Sequence, residues 1–160
     1  MDQTHFSAMW VKPEEGPRVH REICDQLADF WGQRDVGALH HPMWLRQFVA
    51  NAVVVRHDDL LVGYLFGALA SPEVAYIHLV ATRLAYQNRG IARNLYATFL
   101  ADAARRGART AEAITTPNNA DSITFHKRLG FHTETISNYV GPGNDRVLFR
   151  RDLAGVPVEP

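Results

Sequence analysis

The stretch Val80-Ala81-Thr82-Arg83-Leu84-Ala85-Tyr86-Gln87-Asn88-Arg89-Gly90-Ile91-Ala92 decides the fold. It joins an apolar run, Val74 to Thr82, to an amphipathic segment, Ile91 to Arg106. The run is continuous in its hydrophobicity, which suits a central strand covered on both faces. In the segment, Ile91, Leu95, Tyr96, Phe99, Leu100 and Ala103 recur at helical spacing, and Arg105-Arg106-Gly107 supplies C-terminal cations and a left-handed cap. A strand therefore passes into a helix through Gln87 to Ala92. Consecutive backbone N–H groups at such a helix N-terminus, with Gly90 and the small Ala92 allowing close approach, form a cradle for a pyrophosphate. Taken alone, these residues describe equally a tight strand-to-helix turn that needs a glycine and binds nothing.

Upstream of this stretch, Pro17 opens a helix in which Val19, Ile23, Leu27, Phe30 and Trp31 keep helical spacing to about Arg34. A connector from Val36 to His41 leads to Pro42, which starts a second short helix through Met43, Trp44, Leu45, Phe48 and Val49. Ala52–Arg56 and Leu60–Ala68 are β-branched and aromatic runs separated by His57-Asp58-Asp59, the pattern of a hairpin. Downstream come a strand at Ala111–Thr115, a helix from Asn119 to Leu129 closed by Gly130, and strands at Phe131–Ser137 and Arg146–Leu153. The turn-rich loop Asn138 to Asp145 between those strands is placed to overhang a site, and a short first strand fits Ser7 to Val11. The order predicts a mixed α/β sheet with helices on both faces.

With 160 residues the chain has room for one domain, 1–160, whose tail from 155 to 160 is expected to fray. Its one cysteine, Cys24, excludes an intramolecular disulfide and sits at core spacing with Leu27 and Trp31, so it reads as a small buried apolar residue. The 17 basic and 17 acidic side chains cancel, which argues against a protein that works by neutralising nucleic-acid phosphates or an anionic membrane. No apolar run reaches 18 residues and Met1 to Val11 has no secretory pattern, so a soluble, cytoplasmic protein is expected. The eight histidines include none at zinc-site spacing, and no metal is expected; His40 and His41 read as a polar connector.

The stretch from Val80 to Ala92 resembles the acyl-CoA-binding motif of the GNAT superfamily of N-acetyltransferases, Gln/Arg-x-x-Gly-x-Gly/Ala after a strand end. Asn119-x-x-Ser122-x-x-x-His126-x-x-x-Gly130-Phe131 resembles that superfamily's next motif, in the expected order and with the expected helix and strand between. The resemblance covers Leu60 to Phe131 and the two N-terminal helices in outline. It implies a mostly antiparallel mixed sheet with a central parallel pair splayed around acetyl-CoA. It further implies that Gln87, Asn88, Arg89, Gly90, Ile91, Ala92 and Arg93 hold the CoA pyrophosphate. The strand end at Val80, Ala81 and Thr82 would pair with the pantetheine and polarise the thioester, and Asn119 would contact the pantetheine arm. Leu84 stands where the family usually has proline, a change of loop rigidity.

His126 stands where the family usually places a tyrosine that donates to the departing thiolate. A protonated imidazole near pKa ~6.5 would give its proton to a thiolate near ~8.5 downhill, so histidine is chemically adequate there; a packed helix-face histidine is the plainer alternative. Deprotonating the amine is the other half of the reaction. A lysine-like amine near ~10.4 needs roughly 4–5 kcal/mol to supply its neutral form at pH 7, an α-amino group only about 1. Tyr76, His78, Val80 and Thr82 alternate onto one face of the central strand, where the family often carries its base. His78 is the first candidate, Tyr76 the second, and Glu112 on the next strand the third; a satisfied core histidine is the alternative for His78. Trp44, His41 and Tyr139 are candidates for the acceptor pocket.

The resemblance thus points to transfer of acetyl from acetyl-CoA directly to a primary amine, through a tetrahedral intermediate and without an acyl-enzyme. The acceptor is left as a small amine or amino acid, or a protein N-terminus or lysine, and the assembly is left open, a homodimer included. A non-catalytic acyl-CoA-binding module is the alternative, and the replaced tyrosine is its one hint.

Overall fold

The computed structural model describes residues 5–156. Seven strands form one sheet in the order β1-β2-β3-β4-β5-β7-β6. They are β1 (Ala8–Trp10), β2 (Val53–His57), β3 (Leu60–Ser71), β4 (Val74–Thr82), β5 (Thr110–Thr115), β6 (His132–Ile136) and β7 (Arg146–Asp152). The pair β4–β5 is parallel, Val74–Ile77 lying against Thr110–Ala113, while β1–β2, β2–β3, β5–β7 and β6–β7 are antiparallel. This is the mixed sheet that the element order predicts, mostly antiparallel with a central parallel pair as the family resemblance implies. The helices are α1 (Gly16–Asp25), α2 (Leu27–Trp31), α3 (Ile91–Arg105) and α4 (Ala120–Arg128). Of the tail expected to fray, residues 157–160 lie outside the described part.

The chain packs as two compact units, one comprising the described residues up to Ala68 with Leu79–Phe99, the other Leu69–His78 with the residues from Leu100 onward. In the first unit β3 is the strand covered on both faces, with every residue from Leu61 to Ala68 buried. On one face Tyr64 meets Phe30 edge-on at 5.0 Å between ring centroids and accepts a hydrogen bond from Trp31 Nε1 at 2.7 Å. On the other, Gly63 admits α3 so closely that a Cβ there would lie 2.5 Å from Ile91 Cγ2 and 3.3 Å from the Ala81 carbonyl oxygen. Neighbouring residues of a strand point to opposite faces, which is why Gly63 and Tyr64 serve the two sides.

Double coverage was expected of β4 instead, and the structure corrects this. Ala75, Ile77, Leu79 and Ala81 are buried, whereas Val74, Tyr76, His78, Val80 and Thr82 are half-buried. The polar atoms of the run all fall at the second set of positions, so β4 is amphipathic at the strand period even though its aromatic and β-branched residues make it read as uniformly apolar.

The first predicted helix is broken. Gln26 adopts φ −125° and ψ 22°, ending α1 and leaving α2 as a separate short turn. Its side-chain oxygen accepts from Arg83 Nη2, a partner 57 positions away that no local pattern discloses. Val19, Ile23 and Phe30 are buried, while Cys24, Leu27 and Trp31 are half-buried, so Cys24 is not the core residue expected. Its Sγ lies 3.5 Å from His20 Nε2, and burial raises the thiol pKa above its usual range. The second predicted helix is replaced by 3-10 turns at Pro42–Leu45 and Val49–Asn51, and the connector before it holds another at Gly37–Leu39. Here the Met43 carbonyl accepts from both Arg46 N–H, at 3.2 Å, and Phe48 N–H, at 2.9 Å, which turns the backbone out of an α-helical ladder. His40, expected in a polar connector, is 2% exposed. Its Nδ1–H donates to the Val36 carbonyl at 2.8 Å, and Tyr64 O–H donates to its Nε2 at 2.8 Å.

In the second unit β7 pairs with β5 from Thr110↔Asp152 to Thr115↔Val147 and with β6 from His132↔Arg150 to Ile136↔Arg146. Phe149 and Val147 are buried, Phe131 with them, whereas β6 is exposed from His132 to Thr135.

The close approach at Gly63 yields a direct test. Gly63→Ala is expected to lower the unfolding free energy by about 1–3 kcal/mol, the usual cost of overpacking, read as a shifted urea midpoint at unchanged slope.

Candidate active site

The residues expected to hold the cofactor's phosphates and thioester lie in the first unit. Val80 and Thr82 of β4 are half-buried and Ala81 is buried. Arg83 follows, then a 3-10 turn at Leu84–Tyr86, then exposed Gln87–Gly90 leading into α3. Asn88 (φ 62°) and Gly90 (φ 81°) are both left-handed, with one residue between them. Left-handed residues in a turn are a backbone element of anion-binding nests. Behind them stand the first N–H groups of α3, which have no partner within their own helix. Beyond its own two chain neighbours, nothing lies within 4 Å of where a Gly90 Cβ would be, so the glycine is required by its backbone angle and not by crowding. The arrangement suits a di-anionic phosphate group.

The loop carrying this pair is fastened at several points. Tyr86 Oη lies 3.0 Å from His57 Nδ1, and Phe6 packs edge-on against both rings at 6.1 and 5.7 Å. The Arg89 guanidinium stands 5.0 Å over the Tyr86 ring. Asn94, in the first turn of α3, donates to the Phe6 carbonyl. Arg83 is 8% exposed. Its backbone N–H donates to the Val62 carbonyl at 2.8 Å and its Nε to the Leu61 carbonyl at 2.9 Å. Its Nη1 donates to Asp29 Oδ2 at 2.9 Å and its Nη2 to the Gln26 side-chain oxygen. Sequence reading assigned Arg83 no role; a charged residue directly after a buried strand, inside the motif, was the available signal.

The remaining candidates lie in the second unit. Asn119 caps α4, its Oδ1 accepting from Ser122 N–H at 3.3 Å and its Nδ2 donating to Thr115 Oγ1 at 3.0 Å. Ser122 and His126 share the α4 face that the spacing predicts, with Ser122 Oγ 3.3 Å from His126 Nδ1. That Nδ1 also lies 2.8 Å from the Ser122 carbonyl, to which it donates as N–H. The imidazole is stacked on Phe149 at 3.9 Å with 3° between planes, and Phe131 and Phe125 close on it edge-on at 5.3 and 5.4 Å. Burial lowers its pKa to about 4, against which the Ser122 hydrogen bond acts only partly. At pH 7 a ring with that pKa carries the imidazolium in only about one molecule in a thousand, which favours the packed helix-face histidine over a proton donor near 6.5.

Tyr76 and His78 are half-buried neighbours with ring centroids 6.2 Å apart. Burial, and secondly the proximity of Tyr139, raises the Tyr76 phenol above its usual pKa, which suits a hydroxyl donor and disfavours a base. Glu112 lies opposite Arg150 in the β5–β7 ladder and accepts from its Nε at 3.1 Å and its Nη2 at 2.9 Å through one oxygen. Tyr139 is 51% exposed on the 138–145 loop. In the first unit Trp44 is buried beside Phe48, and exposed His41 spends Nδ1 accepting from Met43 N–H at 3.2 Å. A cavity of about 320 Å³ on β5, β7 and β6 is lined by Thr110, His132, Glu134, Leu148, Arg150 and Asp152, and includes none of the residues anticipated from sequence. Among the described residues, no three His, Cys, Asp or Glu side chains group to hold a metal ion.

A profile of the Acetyltransferase (GNAT) family matches residues 16–131. The chain belongs to this family of acyltransferases. Among curated proteins it is 23% identical over 133 residues to the spore coat polysaccharide biosynthesis protein SpsD of Bacillus subtilis, covering 82% of this chain and 43% of that protein. The chain thus spans less than half of that relative's length. Among solved structures, aminoglycoside 6'-acetyltransferase type Ii superposes with a TM-score of 0.75 at 16% identity, covering 94% of this chain and 99% of that one. The yncA protein of Salmonella typhimurium, solved with its cofactor acetyl-CoA, gives 0.70 at 18% identity, with 98% and 99% covered. The ribosomal-protein-S18-alanine N-acetyltransferase of Escherichia coli gives 0.68 at 14%, with 98% and 99% covered. These likenesses establish the GNAT fold. No helix among the described residues is long and apolar enough to cross a membrane.

The depressed pKa of His126 has a measurable sign. Unfolding lets the ring protonate at its ordinary 6.5, whereas the folded ring resists until about 4. Its contribution is therefore complete above pH 6.5 and is lost as pH falls toward 4, amounting to about 3 kcal/mol. Urea titrations across that window are expected to show the loss, and His126→Phe, which keeps the stack, is expected to remove that part of the pH dependence.

Proposed function

We propose that the protein transfers the acetyl group of acetyl-CoA to a primary amine by direct attack of the amine on the thioester. The observation that carries this reading is the left-handed pair Asn88 and Gly90 at the mouth of α3, following the β4 strand end, in a chain of the GNAT family. We assign the pyrophosphate to the backbone N–H groups of Asn88 to Ala92, with Gln87 and Arg93 at its margins. The pantetheine falls to the β4 edge at Val80, Ala81 and Thr82, where main-chain groups can pair with it and stabilise charge developing on the carbonyl oxygen. Asn119 enters chiefly by holding the start of α4. Residues 1–160 are treated as one catalytic domain, because the family match from 16 to 131 runs through both units.

Most of the rate comes from holding amine and thioester together, since positioning alone supplies roughly 7–11 kcal/mol in well-oriented systems. For the proton, His78 is the base. Glu112 is engaged by Arg150, and the raised Tyr76 phenol stays protonated. Tyr76 then serves as a hydroxyl donor on the same strand face, and His126 serves as an apolar wall. The relatives' names point to acceptors as unlike as an aminoglycoside and a ribosomal-protein alanine, so the acceptor is taken no further than a small amine, an amino acid or a protein amine.

Two outcomes test this reading. Gly90→Val forces a β-branched residue to φ 81° and is expected to eliminate acetyl-CoA binding by calorimetry while the protein stays folded; retained binding would overturn the phosphate assignment. In a thiol-release assay over a panel of amines, His78→Gln is expected to lose about 10²-fold or more of the wild-type kcat/KM.

A further inference from the structure

One buried charge in the first unit is not used by the proposed chemistry. Arg83 stands between the strand end assigned to the pantetheine and the loop assigned to the pyrophosphate. It is 8% exposed and spends four donors on three separate segments. Its backbone N–H and Nε go to Val62 and Leu61 on β3, its Nη1 to Asp29 on α2, and its Nη2 to Gln26 at the α1–α2 break. Its guanidinium carbon also lies 4.7 Å over the Phe30 ring. Its own carbonyl accepts from Tyr86 N–H at 2.8 Å, which sets the 3-10 turn leading to Gln87.

A guanidinium removed from water is costly unless its donors are met, and once they are met the planar fork fixes direction as well as distance. The fork is held by β3 on one side and by the α1–α2 junction on the other. The chain departing from it toward Asn88 and Gly90 therefore starts from a fixed point and heading.

We propose that Arg83 is a positioning residue for acetyl-CoA: anchored on Asp29 and Gln26, it sets the loop so that the N–H groups of 88–92 converge, and the α1–α2 junction thereby influences cofactor affinity without touching the cofactor. This rests on the acetyl-CoA reading above. Asp29 is the discriminating partner, because its side chain is 58% exposed and its loss threatens the fold least. A lysine at 83 could keep one of the side-chain bonds but not the fork.

The experiment is calorimetry of acetyl-CoA with the full chain, at a temperature well below every variant's melting point. Arg83→Met is expected to weaken binding tenfold or more, Arg83→Lys to recover part of that loss, and Asp29→Asn to weaken binding about threefold. In the double variant Arg83→Met with Asp29→Asn, the second change is expected to add nothing, since Asp29 acts through Arg83. Affinity within twofold of wild type in folded Arg83→Met overturns the inference, as does an Asp29→Asn effect that persists undiminished in the Arg83→Met background. Should Arg83→Met not fold, Asp29→Asn and Gln26→Ala decide, and unchanged affinity in both overturns the inference. If the wild type binds acetyl-CoA and Gly90→Val does not, such a failure belongs to Arg83 alone; if the wild type does not bind, the acetyl-CoA reading fails first.

Discussion

A buried guanidinium has to be met by acceptors, and at Arg83 those acceptors come from parts of the chain far apart in sequence. Leu61 and Val62 approach from the hairpin, and Gln26 and Asp29 from the broken helix. Much of the first unit is arranged around this requirement. Gln26 leaves helical geometry where its side chain meets the guanidinium. Phe30 turns its ring face to the cation, and Tyr64 sets its edge against Phe30. Among the described residues no buried side-chain nitrogen or oxygen is left without a partner, so the polarity brought inside by Arg83, His40 and Tyr64 is compensated.

The parts of this fold that were legible in the sequence are those in which a local pattern and the tertiary outcome agree. The stripe from Ile91 to Ala103 is buried in full, Asn119 caps α4, and Asp58 and Asp59 turn the hairpin, with Asp58 at φ 53°. Illegible were the outcomes imposed from a distance. The break at Gln26 depends on Arg83, and the environment of His126 on Phe149, and neither partner is near in sequence. The one-sided burial of β4 was present in the alternation of Tyr76, His78 and Thr82. It was masked because aromatic and β-branched residues make a strand read as uniformly apolar. At the candidate site, Asn88 and Gly90 are left-handed, as a glycine-bearing cradle needs. The same motif spacing placed Ser122 and His126 on one face of α4 but did not disclose that Phe149, distant in the chain, stacks on the imidazole.

The histidines show how little residue type says about role until surroundings are known. His40 is a link in a buried chain running from Trp31 through Tyr64 to the Val36 carbonyl. His41 accepts a hydrogen bond at the start of an exposed turn. His57 braces the tyrosine beneath Arg89. His126 is stacked on Phe149 and held through Nδ1 by Ser122. A shared ring chemistry is thus divided among tautomer-locked, surface, bracing and packing duties, while His78 is half-buried on β4.

The empty space around the Gly90 α-carbon, combined with its φ of 81°, makes the constraint there one of handedness. An L side chain of any size is opposed by its own backbone, at a cost of roughly 1–2 kcal/mol for a left-handed residue. A D-alanine introduced by chemical ligation would find its preferred torsion there. The loop thus distinguishes mirror images before it distinguishes sizes, and of the genetically encoded residues glycine meets that demand because it is achiral.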